Sequence, residues 1–167
     1  FEKRYFADEE QVFTDKEIDM IVDYINNEPI SILNLGIILA FQVGLRRGEL
    51  STLKYSDIKD GLLRIRRTEI KFKDENGHTT HEVRDATKTE AGMRDVILTD
   101  YALKTIKQIR TLNPFGDYMF MKNGARCKGK AFTDKLKRIC HNLGIPERSL
   151  HKVRKTYATK LLNAGVN

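Results

Sequence analysis

Three short stretches of this chain carry side chains suited to gripping an anion. The first is Gly44-Leu45-Arg46-Arg47-Gly48-Glu49-Leu50, where two arginines stand between glycines at a helix boundary. A helix N-terminus offers free backbone N–H groups and a positive dipole end. A guanidinium adds a planar fork that matches two phosphate oxygens. The same spacing also suits an internal pair, Arg46 with Glu49 at i,i+3. The second stretch is Thr87-Lys88-Thr89, at the tip of an expected hairpin. A loop lysine is often just hydrated; it can also reach a groove and pass a proton near a phosphate. The third is His151 and Arg154, which share a helix face at i,i+3. Leu150, Val153, Tyr157 and Leu161 form that helix's apolar stripe, and Arg154 falls at its edge. A half-buried guanidinium needs an anionic partner. That partner is either an internal carboxylate, such as Glu49 or Asp57, or the phosphate of a ligand.

The chain has 167 residues, 40% of them hydrophobic, enough for one domain with a real core. Its net charge of +7 and pI near 9.4 suggest a polyanion partner, DNA or RNA first. A solvated basic surface is the plainer explanation. The longest apolar run, Ile30–Val43, is interrupted by Asn34 and Gln42 and reads as a buried helix, not a membrane span. Phe1-Glu2-Lys3-Arg4 has no signal-peptide pattern and no initiator Met, so a fragment or processed piece is expected. Cys127 and Cys140 lack metal-site spacing, and Cys140 is expected as a free core thiol in a cytosolic protein.

The elements that must position these residues follow from periodicity and caps. Residues 1–13 show no clear period and read as a linker or arm. Thr14-Asp15-Lys16-Glu17 is a capping box. It opens a helix with Ile18, Ile21, Val22 and Ile25 on one face, stopped by Asn26-Asn27-Glu28-Pro29. A buried helix over about Ser31–Val43 ends at Gly44, and a short helix carries Glu49, Leu50 and Leu53. Leu62–Phe72 reads as one strand, and Asp74-Glu75-Asn76-Gly77 as a turn. Glu82–Thr87 and Met93–Leu98 read as two further strands joined by the loop Lys88–Gly92 in a hairpin, all in one small antiparallel sheet. Helices return with Leu103, Ile106 and Ile109 in register after a Thr99 or Asp100 cap. Tyr118–Met121 is a short extended piece. Phe132, Leu136, Ile139, Cys140 and Leu143 form an amphipathic helix closed by Gly144 and Pro146. Ser149 caps a last helix to about Asn163. The fold class is mostly α with a small antiparallel β-sheet (α+β).

Together the three motifs resemble one family, the tyrosine recombinases or integrases. Gly44–Leu50 is similar to that family's Gly-Leu-Arg-x-Gly/Ser-Glu-Leu. Thr87-Lys88-Thr89, with Arg94 and Leu98 downstream, resembles its β-hairpin lysine. His151-Lys152-Val153-Arg154-Lys155-Thr156-Tyr157-Ala158-Thr159 looks like its His-x-Leu-Arg-His-Thr-Phe-Ala-Thr. The resemblance implies the integrase catalytic-domain fold over residues 14–167, with 1–13 a linker from a missing N-terminal core-binding domain. It implies cleavage of double-stranded DNA at a recombination site without metal, ATP or other cofactor. A tyrosine attacks the scissile phosphate, a 3′-phosphotyrosyl bond forms, and a 5′-hydroxyl of the partner duplex reverses the step. Arg46 and Arg154 would clamp the non-bridging oxygens. Lys88 would be the general acid for the leaving 5′-oxygen, and His151 would assist proton transfer or hold the phosphate. The family works as a tetramer of protomers on DNA, in the bacterial cytoplasm and without a membrane partner, encoded by a phage or mobile element.

Several positions depart from the pattern: Val153, Lys155 and Tyr157 replace Leu, His and Phe, and Ile97 stands where Pro is common. Tyr157 sits on the apolar stripe and reads as core, not nucleophile. The nucleophilic tyrosine is expected beyond Asn167, so residues 1–167 alone are expected not to cleave and to be monomeric. Two other functions fit the same residues. One is a type IB topoisomerase, which shares the arginine, lysine and tyrosine chemistry. The other is a basic DNA-binding module without chemistry.

Overall fold

The computed structural model describes residues 12–86 and 92–150. Lys88, His151, Arg154, Tyr157 and the helix expected after Ser149 lie outside the described residues.

Helix α1 (Asp15–Asn26) starts as its capping box requires. The Thr14 hydroxyl accepts the Glu17 N–H at 3.2 Å, and the Glu17 carboxylate accepts the Thr14 N–H at 2.9 Å. Its Ile18, Ile21, Val22 and Ile25 are buried. Helix α2 (Ile32–Val43) is capped by the Ser31 hydroxyl and buried from Asn34 to Val43. It is the central post of the fold. It stops at Gly44, whose φ of 77° is left-handed and suits glycine. The short α3 (Arg47–Leu50) follows, with Leu53 buried just beyond it. Phe13, on the arm side of the expected boundary, is 2% exposed and packs edge-on to Phe41 at 5.7 Å.

The strands differ from expectation. Leu62–Phe72 is not one strand but two, broken at Arg66. Strands β1 (Ile58–Lys59) and β2 (Leu62–Ile65) come first, then β3 (Arg67–Lys73), β4 (Thr79–Asp85) and β5 (Arg94–Ile97). β1, β2 and β5 make a three-stranded antiparallel sheet, while β3 and β4 pair only with each other. There are thus two sheets here instead of one, and the segment containing Lys88 joins strands of different sheets, not the arms of one hairpin. The physical reason is patterning. Leu63 and Ile65 face the core, so β2 is held flat on it. Arg66 then donates to the carbonyls of Ile65 and Arg94, each at 3.1 Å, and to Asp95 at 2.7 Å, tying the exit of β2 to β5. Beyond it β3 alternates the charged Arg67, Glu69, Lys71 and Lys73 with Thr68, Ile70 and Phe72, none of them fully buried, and it runs on as a ribbon with β4. Asp74-Glu75-Asn76-Gly77 does form the ribbon's turn. The Asp74 carboxylate accepts the N–H groups of Asn76 and His78, both at 2.9 Å.

Helix α4 (Asp100–Leu112) is capped by Thr99. A two-residue Asn123-Gly124 turn, with φ of 54° and 76°, joins β6 (Met121–Lys122) to β7 (Ala125–Arg126). Helix α5 (Gly129–Leu143) packs on α2 and ends at Gly144. Phe120 and Phe132 meet edge-to-face at 5.2 Å between them. Cys127 and Cys140 are free and buried. Burial pushes the Cys140 thiol up to about 11, helped by the nearby Glu147 and Glu17 charges. Among the described residues no helix is long and apolar enough to cross a membrane.

Candidate functional site

The arginine turn is built from both sides. Gly44 ends α2, and Arg46 becomes the N-cap of α3 with extended backbone (φ −77°, ψ 154°). Gly48 allows α3 to rest on β3: a Cβ there would lie 2.7 Å from Thr68 Oγ1 and 2.9 Å from the Glu69 carbonyl oxygen. Gly129 plays the same part beneath Arg47, where a Cβ would approach the Arg47 carbonyl oxygen to 3.2 Å. The Glu69 carboxylate accepts from Arg126 at 2.5 Å and from the Gly129 N–H at 3.1 Å, joining β3, β7 and the start of α5.

Glu49 does not pair with the Arg46 side chain. Its carboxylate accepts only the Arg46 backbone N–H, at 3.0 Å, and is otherwise taken by the Arg94 fork at 2.6 and 3.1 Å. The i,i+3 pair weighed from the sequence therefore gives way to a partner on β5. Asp57 is also engaged: it pairs with the Arg67 guanidinium and accepts the Lys54 N–H at 2.8 Å. Both carboxylates considered as internal partners for Arg154 thus already hold other arginines. Arg46 and Arg47 are exposed, and neither has a carboxylate partner among the described residues.

These two arginines open on a groove of about 490 Å³ between α3, α5 and the segment leading to Leu150. Lys137 and Arg148 also line it, and Glu147 is its only acidic lining residue among those described. Arg148 is anchored by the Glu17 carboxylate and stacks over Phe13, 5.6 Å from the ring centre. Burial raises the Glu17 carboxyl, but hydrogen bonds from Arg148 and Thr14, with the Arg148 charge, bring it below its ordinary value. Leu150, the neighbour of His151 in sequence, is buried in the groove wall. A second cavity, about 380 Å³, lies between the α1–α2 turn and α4. Glu28 and Lys104 there oppose each other in sign, so it offers no comparable anion grip.

Of the four residues singled out from the sequence, the structure places Arg46 on this groove; Lys88, His151 and Arg154 lie outside the described residues. Sequence reasoning gave no part to Lys137 or Arg148, which reach the groove from far along the chain. Arg94 was noted only as a motif position, and nothing local marks it as the Glu49 partner.

A mostly helical frame around small antiparallel sheets, with the arginine turn facing a basic groove, is the catalytic-domain fold of the tyrosine recombinases. The chain belongs to the phage integrase family, whose profile matches residues 11–167. A protein from Caldanaerobacter subterraneus subsp. tengcongensis described as "Tyrosine recombinase XerC-like" is 31% identical over 180 aligned positions, covering 93% of this chain and 44% of that protein. The Tn1549 transposon integrase, solved in complex with transposon right end DNA, matches with a TM-score of 0.70 at 17% identity, over 95% of this chain and 55% of that one. XerA recombinase matches with a TM-score of 0.59 at 19% identity, over 93% of this chain and 52% of that one. The chain therefore spans about half the length of these relatives.

Proposed function

We propose that the protein containing this chain is a site-specific recombinase that cuts and rejoins double-stranded DNA through a 3′-phosphotyrosyl bond. The observation that carries this reading is the exposed Arg46 at a helix start, on a cationic groove, while the neighbouring carboxylates Glu49 and Asp57 are occupied by other arginines. A cation so placed is available to an external phosphate. Arg46 and Arg154 clamp the non-bridging oxygens, where negative charge gathers in the transition state. Lys88 protonates the leaving 5′-oxygen, and His151 assists proton transfer or holds the phosphate. Among the described tyrosines none lines the groove. Tyr55 donates to the Asn113 carbonyl at 2.7 Å and Tyr24 accepts from Asn142 at 2.8 Å. The attacking tyrosine therefore comes from outside the described residues. Residues 14–167 form part of a catalytic domain, and 1–13 lead from a core-binding domain. The working assembly is a tetramer on an attachment site of a phage or other mobile element, in the bacterial cytoplasm.

The test uses the full-length protein and a nicked suicide duplex built from the ends of the DNA element that encodes it. A covalent adduct at the 3′-phosphate is expected, and Arg46→Ala reduces its rate by about 10²–10³-fold, as for loss of a charge-stabilising donor. Duplex binding by the wild-type protein without any adduct would leave a basic binding module instead.

A further inference from the structure

Arg94, at the start of β5, makes an unusual set of contacts for a residue in a short strand. Its guanidinium forks onto the Glu49 carboxylate at 2.6 and 3.1 Å and also donates to the Gly44 carbonyl at 3.3 Å. Glu49 in turn accepts the Arg46 N–H at 3.0 Å. One planar group thus ties together the C-cap of α2, the carboxylate of α3 and, through it, the backbone of Arg46. The Glu49 side chain is 5% exposed and that of Arg94 27%, so the fork works largely out of water, where charge-assisted bonds are strong. The turn has its own local ties, with the Gly44 and Leu45 N–H groups on the Ala40 carbonyl and Leu45 and Leu50 buried, and the Arg94 fork adds one from a distant strand. This added restraint comes from β5, 45 residues downstream of Glu49.

We infer that Arg94 is a positioning residue for the proposed cleavage: through Glu49 and Gly44 it fixes the backbone from which Arg46 reaches the scissile phosphate. This rests on the recombinase reading above. It deepens that reading by assigning a task to a residue that is not among the described residues lining the groove. Misplacement of a catalytic group by an ångström costs about 10²-fold in rate. Arg94→Ala is therefore expected to slow cleavage by about that factor while duplex binding stays close to wild type. Arg94→Lys keeps the charge but loses the planar fork, and falls between.

A purely structural defect would give the same loss on any substrate, so the experiment compares two. One is the suicide duplex with an ordinary scissile phosphate. The other carries a methylphosphonate there, which removes the negative charge that Arg46 would stabilise. Adduct rates of the full-length wild type, Arg46→Ala, Arg94→Ala and Arg94→Lys are measured on both. If Arg94 acts through Arg46, the losses in Arg46→Ala and Arg94→Ala are large on the phosphate and shrink together on the methylphosphonate. Equal losses of Arg94→Ala on both substrates, or no loss on the phosphate, would overturn the inference and leave the recombinase reading standing. No adduct with wild type on either duplex overturns both. If Arg94→Ala melts below the assay temperature, Arg94→Lys carries the same comparison.

Discussion

Replacing Glu69 by alanine would strand the Arg126 guanidinium, whose side chain is only 15% exposed. The Glu69 side chain is itself 7% exposed, and its removal also orphans the Gly129 N–H at the start of α5. Breaking a buried pair from one side costs about 3–5 kcal/mol, because the remaining charge stays desolvated. Arg126 retains the Ser51 hydroxyl at 3.3 Å and the Tyr118 ring at 5.7 Å, so the lower end applies. A loss of about 3 kcal/mol corresponds to roughly 6–12 °C in melting temperature for a chain of this size. Glu69→Gln keeps an oxygen for Gly129 but no charge for Arg126, and should fall between. The assay is urea and thermal unfolding, with a double-mutant cycle against Arg126→Met, in which a coupling of about 0.5–3 kcal/mol is expected for partners in contact. As a control, Asp134→Ala breaks the Lys130–Asp134 pair, whose side chains are 67% and 48% exposed, and should leave the midpoint unmoved. If Glu69→Ala melts with the wild type, the claim that this carboxylate joins β3, β7 and α5 is wrong.

Gly36→Ala places a Cβ 2.3 Å from Phe132 Cε1, on a ring already held by Phe120. Overpacking of this kind costs about 1–3 kcal/mol, read as a lower urea midpoint. Glu17 provides a pH test. Its folded-state carboxyl lies below its ordinary value, so its contribution is full above the unfolded value of about 4.3 and is lost as pH falls through the folded one. Wild type should lose stability on acidification below that point, and Glu17→Gln should show a shallower decline when urea midpoints are compared. Both cysteines should resist iodoacetamide at mildly alkaline pH in the native protein and react once it is unfolded, since burial raises both thiols and holds Cys140 at about 11. Intact-mass measurement before and after denaturation checks this.

What could be read from the sequence was local. Thr14 and Glu17 cap α1 through contacts three residues apart, and Ile18, Ile21, Val22 and Ile25 repeat at helical spacing, so the element and its buried face were both visible. The same holds for α5, with Phe132, Leu136, Ile139 and Cys140. The sheet was not legible in this way. Leu62–Phe72 has strand composition throughout, and the break at Arg66 is fixed by bonds to Arg94 and Asp95, nearly thirty residues away. A local reading likewise offered Glu49 to Arg46, three residues back, whereas its partner stands on β5.

That last difference bears on the chemistry. Had Glu49 paired with Arg46, the arginine turn would have carried a neutralised cation, and a phosphate would have had to displace a buried carboxylate to reach it. Instead the described arginines packed around the turn divide into two groups. Arg67, Arg94, Arg126 and Arg148 are matched to Asp57, Glu49, Glu69 and Glu17, with carboxylate side chains 5–11% exposed, and they brace the strands and helices around the turn. Arg46 and Arg47 are left without such a match and face the groove with Lys137. The internal pairing thus occupies Glu49, Asp57, Glu69 and Glu17, and leaves Glu147 as the groove's one described acidic lining residue. A charge kept exposed by a frame that neutralises its neighbours is poised for an external anion. This division holds the arginine turn firmly while Arg46 and Arg47 stay exposed on the groove.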